Sequence, residues 1–282
     1  MNEKVTDIVF KKFSKLVYEK SGINLTDKKK ALFQSRVKKI MRSKGIEKYS
    51  DYYKFLAGDE TGRELIIFID RISTNVTSFF RGNAHFVFVR DHWVDEWREM
   101  NKNIPPGKRE INIWSAGCSK GAESYSLGIV LLENLDPSEY RSIKIFSSDI
   151  SKDSLAYATK AVYTTKEVKD VPSYLLHKYF YKGKNKSSGF VKVKENLRSI
   201  VEFQYFNLMD NFSPIHKTFD LIFCRNTMIY FDKPTKQKLV NKYYKKLKNY
   251  GYFFTGHSES LGIIKHDFFQ IQPSLYQKRL KS

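Results

Sequence analysis

Residues Ile111 to Leu127, INIWSAGCSKGAESYSL, read as an alternating apolar strand that ends in a tight Gly-Cys-Ser-Lys-Gly turn and runs straight into a helix. A strand tip followed by glycines and a helix N-terminus offers free backbone N–H groups and a close backbone approach, so a small polar ligand can settle there. The dinucleotide pattern G-x-G-x-x-G is absent, because Ser119 stands where the second glycine would admit a pyrophosphate. The Lys-Ser/Thr pair that ends a P-loop is absent too. A ligand without a pyrophosphate is therefore expected.

The chain has 282 residues, 41% of them hydrophobic and 15% aromatic, which is enough for a large core in one or two domains. Charges interrupt the apolar stretches of MNEKVTDIVFKKF, and no later run reaches the roughly 18 uncharged apolar residues of a membrane span. A soluble, cytoplasmic protein with no export signal and no direct membrane insertion is predicted. The two cysteines, Cys118 and Cys224, sit at the ends of apolar strands without a Cys or His at ligand spacing, so no metal site is expected. A formal net charge of +20 attracts polyanions, whether nucleic acid, anionic membrane or an acidic protein surface.

From Thr6 to about Thr74 the apolar spacing is helical: Phe10, Phe13, Leu16 and Val17, then Leu32, Val37, Ile40 and Met41, then Tyr52, Phe55 and Leu56, then Leu65, Ile66, Ile69 and Ile72. This predicts an all-helical domain over residues 1–73. Its second helix, opened by a Thr26-Asp27 cap, carries Lys28, Lys29, Lys30, Arg36, Lys38, Lys39 and Arg42 with Asp27 as the one opposing charge, a face suited to an acidic partner. After Pro105-Pro106-Gly107 an alternation of strands and helices begins, so residues 74–282 are predicted to form an α/β domain around a mostly parallel sheet. Strands are expected at Glu110 to Ser115, Ile143 to Ser148, Val201 to Tyr205, Phe219 to Phe223 and Tyr252 to Thr255. Over residues 164–202 a lysine- and glycine-rich stretch with alternating Phe190, Val191 and Val193 predicts a small antiparallel β insertion.

Asp149 ends the second strand about thirty residues after the elbow, where nucleotide-binding α/β folds place an acid for ribose hydroxyls; the preceding elbow favours that role over capping the next helix, which Ser151 also offers. Arg225, Asn226 and Tyr230 project from the carboxyl edge beside the elbow, in CRNTMIYFD. Nucleic-acid methylating enzymes carry Asp/Asn-Pro-Pro-aromatic or Pro-Cys at such edges, and neither occurs. Between the domains, NVTSFFR holds Asn75, Thr77 and Arg81 around Phe79 and Phe80, whose plain reading is an interdomain plug.

NVTSFFR, WSAGCSKGAESYSL, the Asp149 strand end, VEFQYFNL, FCRNTMIYFD and GHSESL, in this order, resemble the chemotaxis receptor methyltransferases, the CheR-type protein-glutamate O-methyltransferases. The resemblance implies the S-adenosylmethionine-dependent methyltransferase fold, with S-adenosylmethionine as cofactor and S-adenosylhomocysteine as product. It implies a cofactor pocket of Asn75, Thr77, Arg81, Glu123, Asp149, Asn207, Leu208, Arg225 and Asn226. Asp149 would hold the ribose, Asn207 and Leu208 the adenine region, and Glu123 the ammonium, while Arg81 and Tyr230 would border the methyl group as catalytic residues. The expected partners are the acidic methylation helices of transmembrane chemoreceptors, met by Lys29, Arg36, Lys39 and Arg42, and a receptor C-terminal tail at the β insertion. No nucleic-acid partner is expected; a nucleic-acid methyltransferase or a non-catalytic cofactor-binding regulator is the alternative. Where relatives commonly have Glu-Glu-Pro-Tyr-Ser, this chain has Ala122-Glu123-Ser124-Tyr125-Ser126, and Lys120 replaces a Ser or Thr. A glutamate carboxylate, with a pKa of about 4.3, is already ionised at neutral pH, so transfer to it needs alignment and no general base. His257 in GHSESL is the alternative base and reads as scaffold.

Overall fold

A computed structural model describes residues 4–73 and 76–280. Four helices come first: α1 (Asp7–Ser21), α2 (Lys30–Ser43), α3 (Tyr49–Ala57) and α4 (Arg63–Ile72). The Thr6 hydroxyl caps α1 by accepting from the Val9 N–H at 3.3 Å, and Gly22 ends the helix at φ +70°, a backbone that a side chain would strain. The apolar stripes meet in one aromatic knot, with Phe33 5.2 Å from both Phe10 and Phe13 and Phe68 5.5 Å from Phe13. Phe33, and not the expected Leu32, fills the inner face of α2; Leu32 is half exposed. Phe55 on α3 is likewise 43% exposed.

Helices α5 (Ala84–Phe88) and α6 (Val94–Met100) are joined by a π turn, Val89–Trp93, into one amphipathic rod that buries Trp93 and Trp97. Then follow β1 (Glu110–Ala116), α7 (Ala122–Asn134), β2 (Ser142–Asp149) and α8 (Lys152–Lys160). The insertion comprises β3 (Val162–Thr164), α9 (Ser173–Tyr179), β4 (Phe180–Lys182) and β5 (Phe190–Val193). The chain closes with α10 (Glu195–Arg198), β6 (Val201–Tyr205), β7 (Phe219–Cys224), α11 (Lys233–Lys246), β8 (Leu247–Thr255), β9 (Phe269–Gln272) and β10 (Leu275–Gln277).

The main sheet has the order β6-β2-β1-β7-β8-β10-β9. Pairing is parallel from β6 to β8 and antiparallel for β10 and β9. The five expected strands are all present, four of them close to the expected limits, while β8 starts at Leu247, ahead of the expected Tyr252. The β9–β10 hairpin is an addition. Trp114 on β1 pairs in register with Phe146 and Ile222, and its indole N–H donates to the Ser148 hydroxyl at 2.9 Å. The insertion forms its own antiparallel sheet, β3-β5-β4. Phe79 packs 5.0 Å from Tyr163 and 5.7 Å from Phe180, so it plugs the underside of this insertion and not the seam between domains. From β1 the chain steps to β2 on one side and later to β7 on the other, which leaves a crevice at the carboxyl ends of β1 and β7.

Candidate active site

The elbow stands at that crevice. Gly117 at φ +83° and Gly121 at φ +84° bracket it, with Ser119 at φ +50° between them. The N–H groups of Gly117 and Cys118 both donate to the Ser148 carbonyl, at 2.8 and 3.0 Å, which ties the turn to the end of β2. A Cβ at Gly117 would strike the Thr227 side chain from the loop after β7, so glycine is what allows the two strand ends to close on each other. Asp149 takes the Ser119 N–H on one oxygen at 2.7 Å and the Ser151 N–H on the other at 2.8 Å. Burial raises its pKa, and those two backbone donors oppose the rise.

Across the crevice, Glu123 accepts from the Ser115 hydroxyl at 2.7 Å and pairs with Arg225 at 3.3 Å. Arg225 is buried and also donates to the carbonyls of Arg81 and Gly82, while its Nε has no hydrogen-bond partner among the described residues. The third wall comes from the helical domain. The Asn24 N–H donates to the Tyr230 carbonyl at 2.8 Å, Ile23 bridges Phe231, and Lys29 Nζ lies 5.2 Å over the Tyr230 ring. Burial lowers the Lys29 pKa.

One cleft thus brings together Lys29, Thr77, Arg81, Glu123, Asp149, Asn207, Leu208, Arg225, Asn226 and Tyr230. Asn75 lies outside the described residues. Asn207 lines the cleft, but its side chain is engaged locally, donating to the Lys20 carbonyl at 2.7 Å and accepting from the Met209 N–H at 3.0 Å. Lys39 and Arg42 are exposed on α2 and do not line the cleft. Arg36 departs from the substrate face expected of it: it is half buried and donates to the carbonyls of Ile72 and Ser73 at the end of α4. Lys28 and Lys29 lie in a 3-10 turn, Asp27–Lys29, and Lys30 is the first residue of α2.

Several lining residues carried no assignment in the sequence. Cys118, Ser119 and Thr227 lie within quoted motifs, and burial with the charges of Asp149 and Glu123 pushes the Cys118 thiol well up, so it serves as packing. Ile23 and Leu25 went unmarked in the sequence; the helix-ending Gly22 just before them is the signal that could have found them. The unusual turn residues are now accounted for. Lys120 points away from the cleft, 4.7 Å over the Tyr157 ring and 3.7 Å from Glu167, and its carbonyl accepts from the Tyr163 hydroxyl at 2.6 Å. Ser124 accepts from the Ser147 hydroxyl at 2.8 Å beneath the sheet, and Ala122 packs in the core shared with the insertion.

A parallel sheet whose carboxyl edge offers a glycine elbow, a strand-end acid and a buried Glu–Arg pair is the frame of an S-adenosylmethionine-dependent methyltransferase. The pocket fits that cofactor: the carboxylates of Glu123 and Asp149 line it, which suits an ammonium and hydroxyl groups, and the partnerless Arg225 Nε suits a carboxylate. The chain belongs to the CheR methyltransferase family, matching its SAM binding domain over residues 75–276 and its all-alpha domain over residues 8–73. It is similar to the chemotaxis protein methyltransferase of Borreliella burgdorferi, 38% identical over 99% of this chain and 96% of that one. It is also similar to the enzyme of the same name from Escherichia coli K12, 33% identical over 94% and 88% of the two chains. Among solved structures, the plantazolicin methyltransferase BpumL in complex with SAH aligns with a TM-score of 0.34 at 15% identity, covering 70% of this chain and 53% of that one.

Proposed function

We propose that the protein methylates glutamate side-chain carboxylates of chemotaxis receptors, producing glutamyl methyl esters. The observation that carries this reading is a cleft that gathers three cationic side chains, Lys29, Arg81 and Arg225, with the Tyr230 ring and no histidine among its described lining residues. An acceptor that is already an anion needs cations and donors to hold it, whereas an amine or amide would need its proton removed. When bound, the cofactor supplies an electrophilic methyl group on a sulfonium.

In this reading Asp149, fixed by the Ser119 and Ser151 amides, receives the ribose hydroxyls. Glu123 takes the ammonium and Arg225 the carboxylate. Leu208 lines the adenine end, which Asn207 shapes through its two local hydrogen bonds. Arg81 and Tyr230 orient the incoming glutamate, and near-attack placement can supply on the order of 7–11 kcal/mol. Lys39 and Arg42 on α2 meet the acidic receptor helix. The edge strand β4, with Tyr181 exposed, would take a receptor tail by strand addition. Among the described residues no helix is long and apolar enough to cross a membrane, which supports action from the cytoplasm on the receptor's inner part.

The test is incubation with methyl-labelled S-adenosylmethionine and acidic receptor fragments. Label released as methanol by mild base is the expected result, since a carboxyl ester hydrolyses there. Label that survives base would be N-methyl and would end this reading.

A further inference from the structure

The loop that follows β8, Gly256 to Leu261, takes no part in the chemistry proposed above, yet it contains a buried acid. Glu259 is 3% exposed. One of its carboxylate oxygens accepts from the Asn226 N–H at 2.7 Å and from the Gly256 N–H at 2.6 Å, and the other accepts from the Ile229 N–H at 2.9 Å. Asn226 and Ile229 belong to the loop after β7, at its bend and one residue before Tyr230. Asn226 sits at φ +58°, a left-handed backbone that has to be held by its surroundings. A Cβ at Gly256 would come within 2.5 Å of the Glu259 carboxylate and 2.9 Å of the Asn226 amide, so that glycine leaves the space in which the three N–H groups converge.

We propose that Glu259 is a positioning residue for methyl transfer: by binding the backbone at Asn226 and at Ile229 it sets where the Asn226 and Tyr230 side chains stand in the cleft. Backbone donors to an ionised acceptor are among the stronger neutral–charged hydrogen bonds, and three of them on one carboxylate hold the loop from beneath. The Asn24 amide on the Tyr230 carbonyl holds it from the helical domain. A glutamine has one acceptor oxygen and a donor amide, so it cannot receive all three N–H groups. His257, two residues before it, is exposed and stacks on His85 with ring centroids 5.2 Å apart, which leaves the loop's work with the acid.

The proposal rests on the reading that places Tyr230 at the acceptor, and its test separates the two. Full-length wild type, Glu259→Gln, Tyr230→Phe and the double variant are compared by steady-state transfer to acidic receptor fragments and by calorimetric binding of S-adenosylhomocysteine. Glu259→Gln is expected to lower kcat about ten- to hundredfold with a much smaller change in acceptor KM, as a misplaced catalytic group does. In that background, Tyr230→Phe should cost less than a third of its cost in the wild type, about the non-additivity of residues that act as a unit. An unchanged kcat in Glu259→Gln, or losses that multiply in the double variant, overturns the proposal; a merely structural acid would give multiplying losses. If Tyr230→Phe alone is neutral, the Tyr230 reading falls and product affinity decides for Glu259. An affinity fall of about tenfold then upholds its hold on Asn226, and equal affinity overturns it. Should Glu259→Gln not fold, Glu259→Asp, which keeps the charge but withdraws it by one methylene, is read by the same criteria.

Discussion

His85 lies under the active-site Arg225, 1% exposed, with Nε2 2.9 Å from the Ser274 hydroxyl and Nδ1 without a partner among the described residues. Burial, with smaller contributions from Arg225 and His257, pushes its pKa down to about 3. The unfolded chain takes up this proton near pH 6.5 and the folded one resists until about pH 3, so stability drains away as the pH falls through that interval. Asp149, Asp220 and Glu259, all raised by burial, pull in the opposite direction, so the share due to His85 is read as a difference between two proteins. From urea unfolding at pH 7.5 and 5.0, the wild type is expected to lose about 2 kcal/mol more than His85→Gln. Equal losses would show that His85 is not held neutral. A residue next to a backbone landmark could be singled out from the sequence: Asp149 stands at a countable distance from the elbow, whereas Glu123 was singled out by the family resemblance. Glu259 could not, because two of its three partners, the amides of Asn226 and Ile229, lie some thirty residues earlier and meet it only when β7 and β8 pair.

The basic helix α2 illustrates what a charge count misses. Its sequence shows one cationic face, but the structure divides it: Lys39 and Arg42 are exposed, Lys29 reaches the cleft, and Arg36 turns inward onto the end of α4. Charge reversal at Lys39 and Arg42 together is expected to raise acceptor KM by about tenfold at low salt, to weaken its salt dependence, and to leave S-adenosylhomocysteine affinity alone. Arg36→Ala should behave differently, costing about 1.5–3 kcal/mol of stability through the lost charged hydrogen bonds. Unchanged acceptor kinetics in the double reversal would remove α2 from the receptor surface. Elements with strong periodicity, such as β1, β2, β7 and α1, were legible in advance. The β9–β10 hairpin was not, since β9 is exposed along its whole length and shows no alternation, and its place is set by pairing with β8 through β10. Leu32 and Phe33 are adjacent apolar residues on one helix, and only the aromatic knot against α1 and α4 decides which faces inward.

At the scale of the molecule, the helical domain shares its core with the sheet. A single cluster of buried side chains runs from Phe10 and Phe33 through Trp114 to Phe253. Polar seams reinforce it: the Tyr18 hydroxyl donates to Asp232 at 2.9 Å, and Asp70 accepts from the Ser151 hydroxyl and from the Asp153 N–H. Heating is therefore expected to give one calorimetric transition, raised by S-adenosylhomocysteine through its binding to the folded state. Two separated peaks would mean that the helical domain melts on its own. The insertion is tied in as firmly at the opposite wall, where Tyr163 and Glu167 grip the carbonyl and the ammonium of Lys120. Residue 120 and the segment from Tyr157 to Glu167 thus form one inheritance unit: a chimaera that exchanges the insertion between relatives must carry position 120 with it, or the transplanted sheet will pull on a turn built for a different handle.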